Sequence, residues 1–114
     1  MTSAVTQARL WYWQRISAMV LALCVLIHLA IMIYAVRGGL SAAEILGRTR
    51  GSLSFGAFYS VFVLACALHV PIGLATVADE WMGWRGPKVA VAAGFFGIAI
   101  VFMGLRAVYG VVAA

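Results

Sequence analysis

The sequence predicts an all-α integral membrane protein, a single domain over residues 1–114 built on three transmembrane helices. Two observations carry that prediction. Of the 114 residues, 66% are hydrophobic and only 10% are charged, against roughly 25% charged in a soluble domain. Three apolar stretches, residues 16–36, 53–78 and 89–112, are each long enough to cross a hydrocarbon core of about 30 Å, which takes about 20 helical residues.

The first span, Ile16 to Val36, carries no formal charge; Trp11, Tyr12 and Trp13 precede it and Tyr34 closes it. Such aromatic residues favour the headgroup boundary. The span runs into Arg37 without a convincing small-residue cleavage site, so it is expected to stay in the mature protein rather than leave as a signal peptide. Turn signals at Arg37-Gly38-Gly39 and Arg50-Gly51-Ser52 frame a loop in which Ser41 to Leu46 reads as a short interfacial helix. The second span, Leu53 to Ala78, has Tyr59 near its start, with Trp81 and Trp84 after its end, and Trp84-Arg85-Gly86-Pro87 makes the next turn. The third span begins at Val89 and is interrupted by Arg106, beyond which an apolar tail follows. Its small residues Ala93, Gly97 and Gly104 offer a close-packing face for an oligomer.

The loops between the spans are too short to bury a core of their own. No phosphate-binding loop, nucleotide fingerprint or nucleophile–base constellation occurs. Any reaction therefore belongs within the helix bundle or on a partner subunit. The net charge of +5 suits anionic membrane lipid or an acidic partner and, with no soluble domain present, argues against nucleic acid. Arg9, Arg15, Arg85 and Lys88 fall on one side of the membrane and Arg37, Arg48, Arg50 and Arg106 on the other. The positive-inside rule is then silent on orientation.

His28 and His69 are the ionisable side chains well inside the spans, apart from the weakly acidic cysteines and tyrosines. Ionisable groups in a membrane mark functional sites by default. A neutral imidazole has two uses there. It can hydrogen-bond a neighbouring helix, or it can ligate iron, since two such nitrogens from facing helices hold a b-type haem. No Cys-x-x-Cys-His occurs, so covalent haem attachment is not indicated. Gly73, one turn after His69, clears space for a flat ring, and Pro71 can bend the helix between them. Close helix contact and ordinary transmembrane proline account for the same two residues. Cys24 and Cys66 lie on the helix sides of His28 and His69, a donor set that suits zinc; small buried cysteines are the ordinary alternative. Glu80, about three turns beyond His69 on the same face, either handles protons at the membrane boundary or, with Asp79, pins the helix end.

The segments QRISAMVLAL at 14–23 and HVPIGLATVADEW at 69–81 resemble the membrane-anchor (cytochrome b) subunits of succinate dehydrogenase and fumarate reductase, the respiratory complex II enzymes. The shared pattern is Arg-x-Ser/Thr at the entrance to the first span, His-x-x-x-Gly in the second, and an acidic–aromatic pair at its end, all within three spans. The resemblance implies a haem-binding helical bundle in the inner (cytoplasmic) membrane that docks an iron–sulfur subunit and a flavoprotein subunit. It implies electron transport between those partners and membrane quinone, with the anchor itself not catalytic toward the dicarboxylate. By the same resemblance, the cofactors are haem b and quinone, and His69 is an axial haem ligand. Arg15 and Ser17 then lie near the quinone pocket or a haem propionate, and Glu80 with Trp81 forms the acidic–aromatic pair at that pocket. The amino terminus and second loop are expected on the cytoplasmic or matrix side, where the soluble subunits dock.

Two residues depart from the pattern. Trp81 stands where the family usually has tyrosine, and it offers only an indole N–H donor. His28 is not required in single-haem, two-anchor members, whereas two-haem members do use a first-span histidine. Counted at about 1.5 Å per residue from a shared membrane face, His28 lies about 20 Å deep and His69 about 15 Å deep. That offset leaves a shared iron open; otherwise a second homologous anchor, or a second copy of this chain, completes the ligand set. Two further readings fit the same features. One is a cytochrome b anchor for another flavin or iron–sulfur oxidoreductase, and the other is a haem-free interaction, assembly or transporter subunit whose histidines only pack.

Overall fold

The computed structural model describes residues 3–113. They form α1 (Ala4–Gly38), α2 (Ala42–Thr49), α3 (Leu53–Met82) and α4 (Pro87–Val112), with no strand among the described residues. α1, α3 and α4 are long and apolar enough to cross a membrane, which makes the chain a multi-pass membrane protein. α2 is the expected interfacial helix, extended to Thr49.

Local chemistry sets the helix ends. The Ser3, Ser41 and Ser52 hydroxyls accept from the backbone N–H of Thr6, Glu44 and Phe55 at 3.1–3.2 Å, filling donors that a first helical turn leaves free. Ser41 also donates to the Glu44 carboxylate at 2.6 Å, so Ser-x-x-Glu closes a capping pair that starts α2. Pro87 occupies the first turn of α4, where its missing N–H costs nothing. α3 stops at Gly83, whose φ of 68° lets Trp84 N–H return to the Ala78 carbonyl at 2.9 Å.

α3 is the central helix. It packs antiparallel against α1 on one side and α4 on the other, while α1 and α4 meet only marginally. The register along α1 and α3 follows from side-chain pairs: Gln14 lies against Gly73, Ser17 against His69 and His28 against Tyr59. Along α3 and α4, Gly104 lies against Val63, Gly56 against Val112, and Gly97 against Pro71 and the Ala67 carbonyl. That carbonyl is the one whose helical donor proline removes, and Gly97 lets α4 approach closely there.

Few side chains are buried, and they are small: Ser17, Cys24, Ala65 and Ala93, with Thr49 at the α2 end. Large residues such as Met19, Leu23, Leu26, Phe95 and Phe102 face outward. Lipid tails are as apolar as leucine, so helices in a bilayer gain by close backbone approach rather than by hiding large side chains. This corrects the expectation for the third span. Ala93 and Gly97 are buried within the chain, and a Cβ on Gly104 would come within 2.5 Å of Val63 Cγ1. The small-residue face therefore joins α4 to α3 and is not free for an oligomer.

α2 ties together the two helices that α3 separates. Arg48 donates to the Gly39 carbonyl at 2.5 Å and lies over the Tyr34 ring at 5.9 Å, placing a cation at the negative end of the α1 dipole. Thr49 donates to the Val111 carbonyl at 2.6 Å, and Gly51 N–H reaches the Val112 carbonyl at 2.7 Å. Carbonyls at the α4 terminus, which have no partner within a helix, are thus filled from the loop.

Arg106 does not interrupt α4, which runs through it to Val112. The two registers place Arg106 about level with Leu26 of α1, and it stands about 9 Å before the α4 end at Val112, where Thr49 and Gly51 dock. Its guanidinium belongs to α4 itself, within side-chain reach of the helix end.

Candidate functional site

The seam between α1 and α3 holds both histidines, each bound through Nδ1 to a hydroxyl on the facing helix. Ser17, 2% exposed, places its Oγ 3.3 Å from His69 Nδ1 and 3.1 Å from the Gln14 carbonyl one turn earlier in α1. A hydroxyl has one proton and a carbonyl can only accept. Both bonds therefore exist together in one arrangement, with Ser17 donating to Gln14 and accepting from His69 Nδ1–H. His69 Nε2 then carries the lone pair. A neutral imidazole fixed in this way is the form that binds a metal, with the partner on the other nitrogen setting its orientation.

Gln14 completes this end of the seam. Its amide nitrogen lies 3.2 Å from where a Gly73 Cβ would stand, and its Oε1 is buried with no hydrogen-bond partner. The space Gly73 was expected to clear for a flat ring is thus filled by the Gln14 carboxamide. A buried acceptor without a donor costs about 1–3 kcal/mol, so this corner is polar and unsatisfied.

His28 lies elsewhere. Its Nδ1 is 3.2 Å from the Tyr59 hydroxyl, and its ring meets Tyr59 and Phe62 edge-on at 5.7 Å each. Tyr59 precedes His69 by ten residues, so the two histidines are separated by about 15 Å along the membrane normal. A single iron between them is excluded. The count from a shared membrane face failed because Arg15 and Asp79 are not level: the register sets Arg15 beside residues near Ile72, and α3 runs two further turns before Asp79. His28 and Tyr59 instead line a cavity of about 440 Å³ with Thr49, Phe62, Cys66 and Val108.

No protein family, curated protein or solved structure matches this chain. The residues themselves carry the functional argument.

Of the site residues expected from sequence, Ser17 and His69 are brought together and the rest are not. Arg15 is exposed on the α1 surface away from α3, stacked over Trp11 at 5.2 Å. Glu80 and Trp81 are exposed at the end of α3, Trp81 at 82%. Asp79 pairs with Arg85 across the next turn, and Glu80 takes part in no ion pair among the described residues. An exposed pair of this kind adds little stability; Asp79 is engaged with the following turn, and Glu80 stands apart from that pair. No group of three or more His, Cys, Asp or Glu side chains gathers among the described residues, and both cysteines are free thiols. The zinc arrangement is not formed.

Gln14 and Tyr59 were missed as site residues. Gln14 stands inside the quoted first-span motif, but a glutamine gave no spacing signal. Tyr59 read as an interfacial aromatic, and only the helix register shows it level with His28.

Proposed function

We propose that this chain is a membrane-anchor subunit of a complex-II-like succinate:quinone oxidoreductase in an inner (cytoplasmic) membrane. It helps hold haem b and quinone, and it docks iron–sulfur and flavoprotein subunits. The observation that carries the reading is the Ser17–His69 hydrogen bond. It joins the Arg-x-Ser and His-x-x-x-Gly elements, distant in sequence, at one point of the α1–α3 seam.

His69 would hold the group through Nε2, with Ser17 fixing the ring from its other nitrogen. When bound, haem b supplies a one-electron store between an iron–sulfur donor and quinone. With His28 about 15 Å away along the helices, any second protein ligand would come from another chain. Quinone reduction takes up two electrons and two protons. Glu80, exposed and in no ion pair among the described residues, would pass protons from bulk water. Arg15 and Trp81, both exposed, would meet a partner subunit or the quinone head group. By the same resemblance, the amino terminus and second loop face the cytoplasmic or matrix side, where the soluble subunits dock.

The test is isolation of the complex from its native membrane in mild detergent, followed by subunit identification and a succinate-dependent quinone reductase assay. Co-isolated flavin and iron–sulfur subunits with that activity support the reading; a different substrate-oxidising subunit transfers the anchor to another oxidoreductase. The filling of the Gly73 space by Gln14 favours a second reading, a haem-free anchor or interaction subunit in which Ser17 only satisfies His69. A haem spectrum separates the two.

A further inference from the structure

His28 keeps one ring nitrogen in reserve. Its Nδ1 meets the Tyr59 hydroxyl at 3.2 Å, while Nε2 has no hydrogen-bond partner among the described residues. Gln14 Oε1 is the buried side-chain polar atom left without a partner among those residues, so Nε2, also unpartnered, is accessible. Hydrocarbon offers such an atom no partner, which makes it costly to leave bare.

The space beside it is the cavity of about 440 Å³, to which α1 contributes only His28. The cavity lies over α3 between α1 and α4, which meet only marginally, and Ile45 and Thr49 of α2 close one end. From Ile100 to Val111 it follows α4 for about 17 Å. Its polar groups gather at the α2 end. Thr49 reaches the Val111 carbonyl there, and the register sets Tyr59, with His28 opposite it, level with Val108. Val63, Ile100 and Gly104 line the other end, toward the middle of the bundle. A polar end near the loop and an apolar end inside is the order in which an amphiphile stands in its leaflet.

Width and hydrogen-bond capacity decide the occupant. About 440 Å³ over about 17 Å is a mean cross-section of about 26 Å², against about 80 Å² for a helix about 10 Å across. A partner helix is too wide, and a single hydrocarbon chain is not. Tyr59 and neutral His28 carry one proton each, and their mutual bond uses one of the two. Either His28 Nε2–H is left to donate and the tyrosine oxygen to accept, or the tyrosine O–H is left to donate and Nε2 to accept. The pair therefore offers one donor and one acceptor in both arrangements. A hydroxyl or a protonated carboxyl group carries the matching acceptor and donor, whereas a phosphodiester or an ester carries acceptors alone. We infer that this cavity binds a single-chain lipid with an O–H head group, a long-chain fatty acid or fatty alcohol, its head on His28 and Tyr59 and its chain along α4. This goes beyond the proposed function and holds whether or not His69 carries haem.

The experiment uses palmitic acid bearing a mid-chain diazirine, added to the purified complex in phosphatidylcholine vesicles, with adducts mapped by mass spectrometry. The expected adducts fall on Val63, Ile100 and Ala107. Excess palmitic acid or hexadecanol should displace them, the stronger competitor naming the head group, and methyl palmitate, which has no O–H, should not. Tyr59→Phe keeps the ring and should lower the displaceable labelling by about five- to tenfold. Ala107→Leu, which fills the cavity, should abolish it, while Gly94→Leu, outside the cavity, should leave it unchanged. Adducts spread over outward residues such as Phe95 and Met103 without displacement, equal displacement by methyl palmitate, or full labelling in both Tyr59→Phe and Ala107→Leu would each overturn the inference.

Discussion

The Ser17 hydroxyl bridges His69 Nδ1 at 3.3 Å and the Gln14 carbonyl at 3.1 Å, and its single proton serves both bonds in only one way. The serine thereby fixes the imidazole tautomer. Ser17→Ala removes the acceptor for Nδ1–H while changing little volume. The expected outcome is a folded protein whose haem retention falls by about tenfold or more, the usual cost of losing a partner behind a metal-binding histidine. Ser17→Thr, which keeps the hydroxyl, should recover most of it. Haem per protein after dilution and gel filtration measures both.

Glu80 stands free where Asp79 is paired with Arg85. Glu80→Gln keeps the size of the side chain and removes its proton transfer. Quinone reductase turnover should drop by about tenfold or more with the haem spectrum unchanged, while Asp79→Asn leaves turnover near wild type. Undiminished turnover in the Glu80 variant would reject its proton role.

Two glycines of α4 should behave in opposite ways. At Gly97 a Cβ would stand 2.8 Å from Pro71 Cγ and 3.2 Å from the Ala67 carbonyl, whereas at Gly94 it meets open space. Gly97→Leu is expected to cost about 1–3 kcal/mol or more through overpacking, and Gly94→Leu to leave the isolated chain's stability unchanged. Thermal unfolding in detergent checks the pair, and equal midpoints would contradict the assignment of the small-residue face to the α3–α4 contact.

Thr49 is the link between the loop and the end of α4, through its 2.6 Å bond to the Val111 carbonyl. Thr49→Val keeps the shape and leaves that carbonyl unsatisfied, a loss of about 1–3 kcal/mol. Hydrogen exchange should accelerate in the last turn of α4 and not in the middle of α3. Arg48→Ala should have the matching effect at the end of α1, where Arg48 holds the Gly39 carbonyl.

The helices were legible because their signals are local. Apolar length gives the spans, and the turn signals Arg37-Gly38-Gly39, Arg50-Gly51-Ser52 and Trp84-Arg85-Gly86-Pro87 separate them, while the end of α3 at Gly83, beyond the expected Ala78, came from the structure. What needed the structure was register. Sequence spacing puts His69 and Glu80 on one face of α3, but it cannot say which residue of α1 stands opposite. That gap misplaced His28 by about 10 Å relative to His69 and hid Tyr59 as its partner. The glycines of α4 show the same limit: Gly94, Gly97 and Gly104 are equivalent by composition, and only the position of α3 separates packed from open. Arg106 read as a boundary because charge usually ends a span, whereas the carbonyl acceptors supplied to α4 by Thr49 and Gly51 lie beyond it.

The central claim is that His69 stands in the membrane to hold iron. The direct test is a reduced-minus-oxidised difference spectrum, with haem quantified per copy, on the detergent-purified complex and its His69→Ala and His28→Ala variants. The account predicts a b-type band in the wild type that disappears with His69→Ala. A well-folded wild-type complex without haem, or a band of full intensity in the His69 variant, would contradict it and leave His69 as a residue that only packs against Ser17.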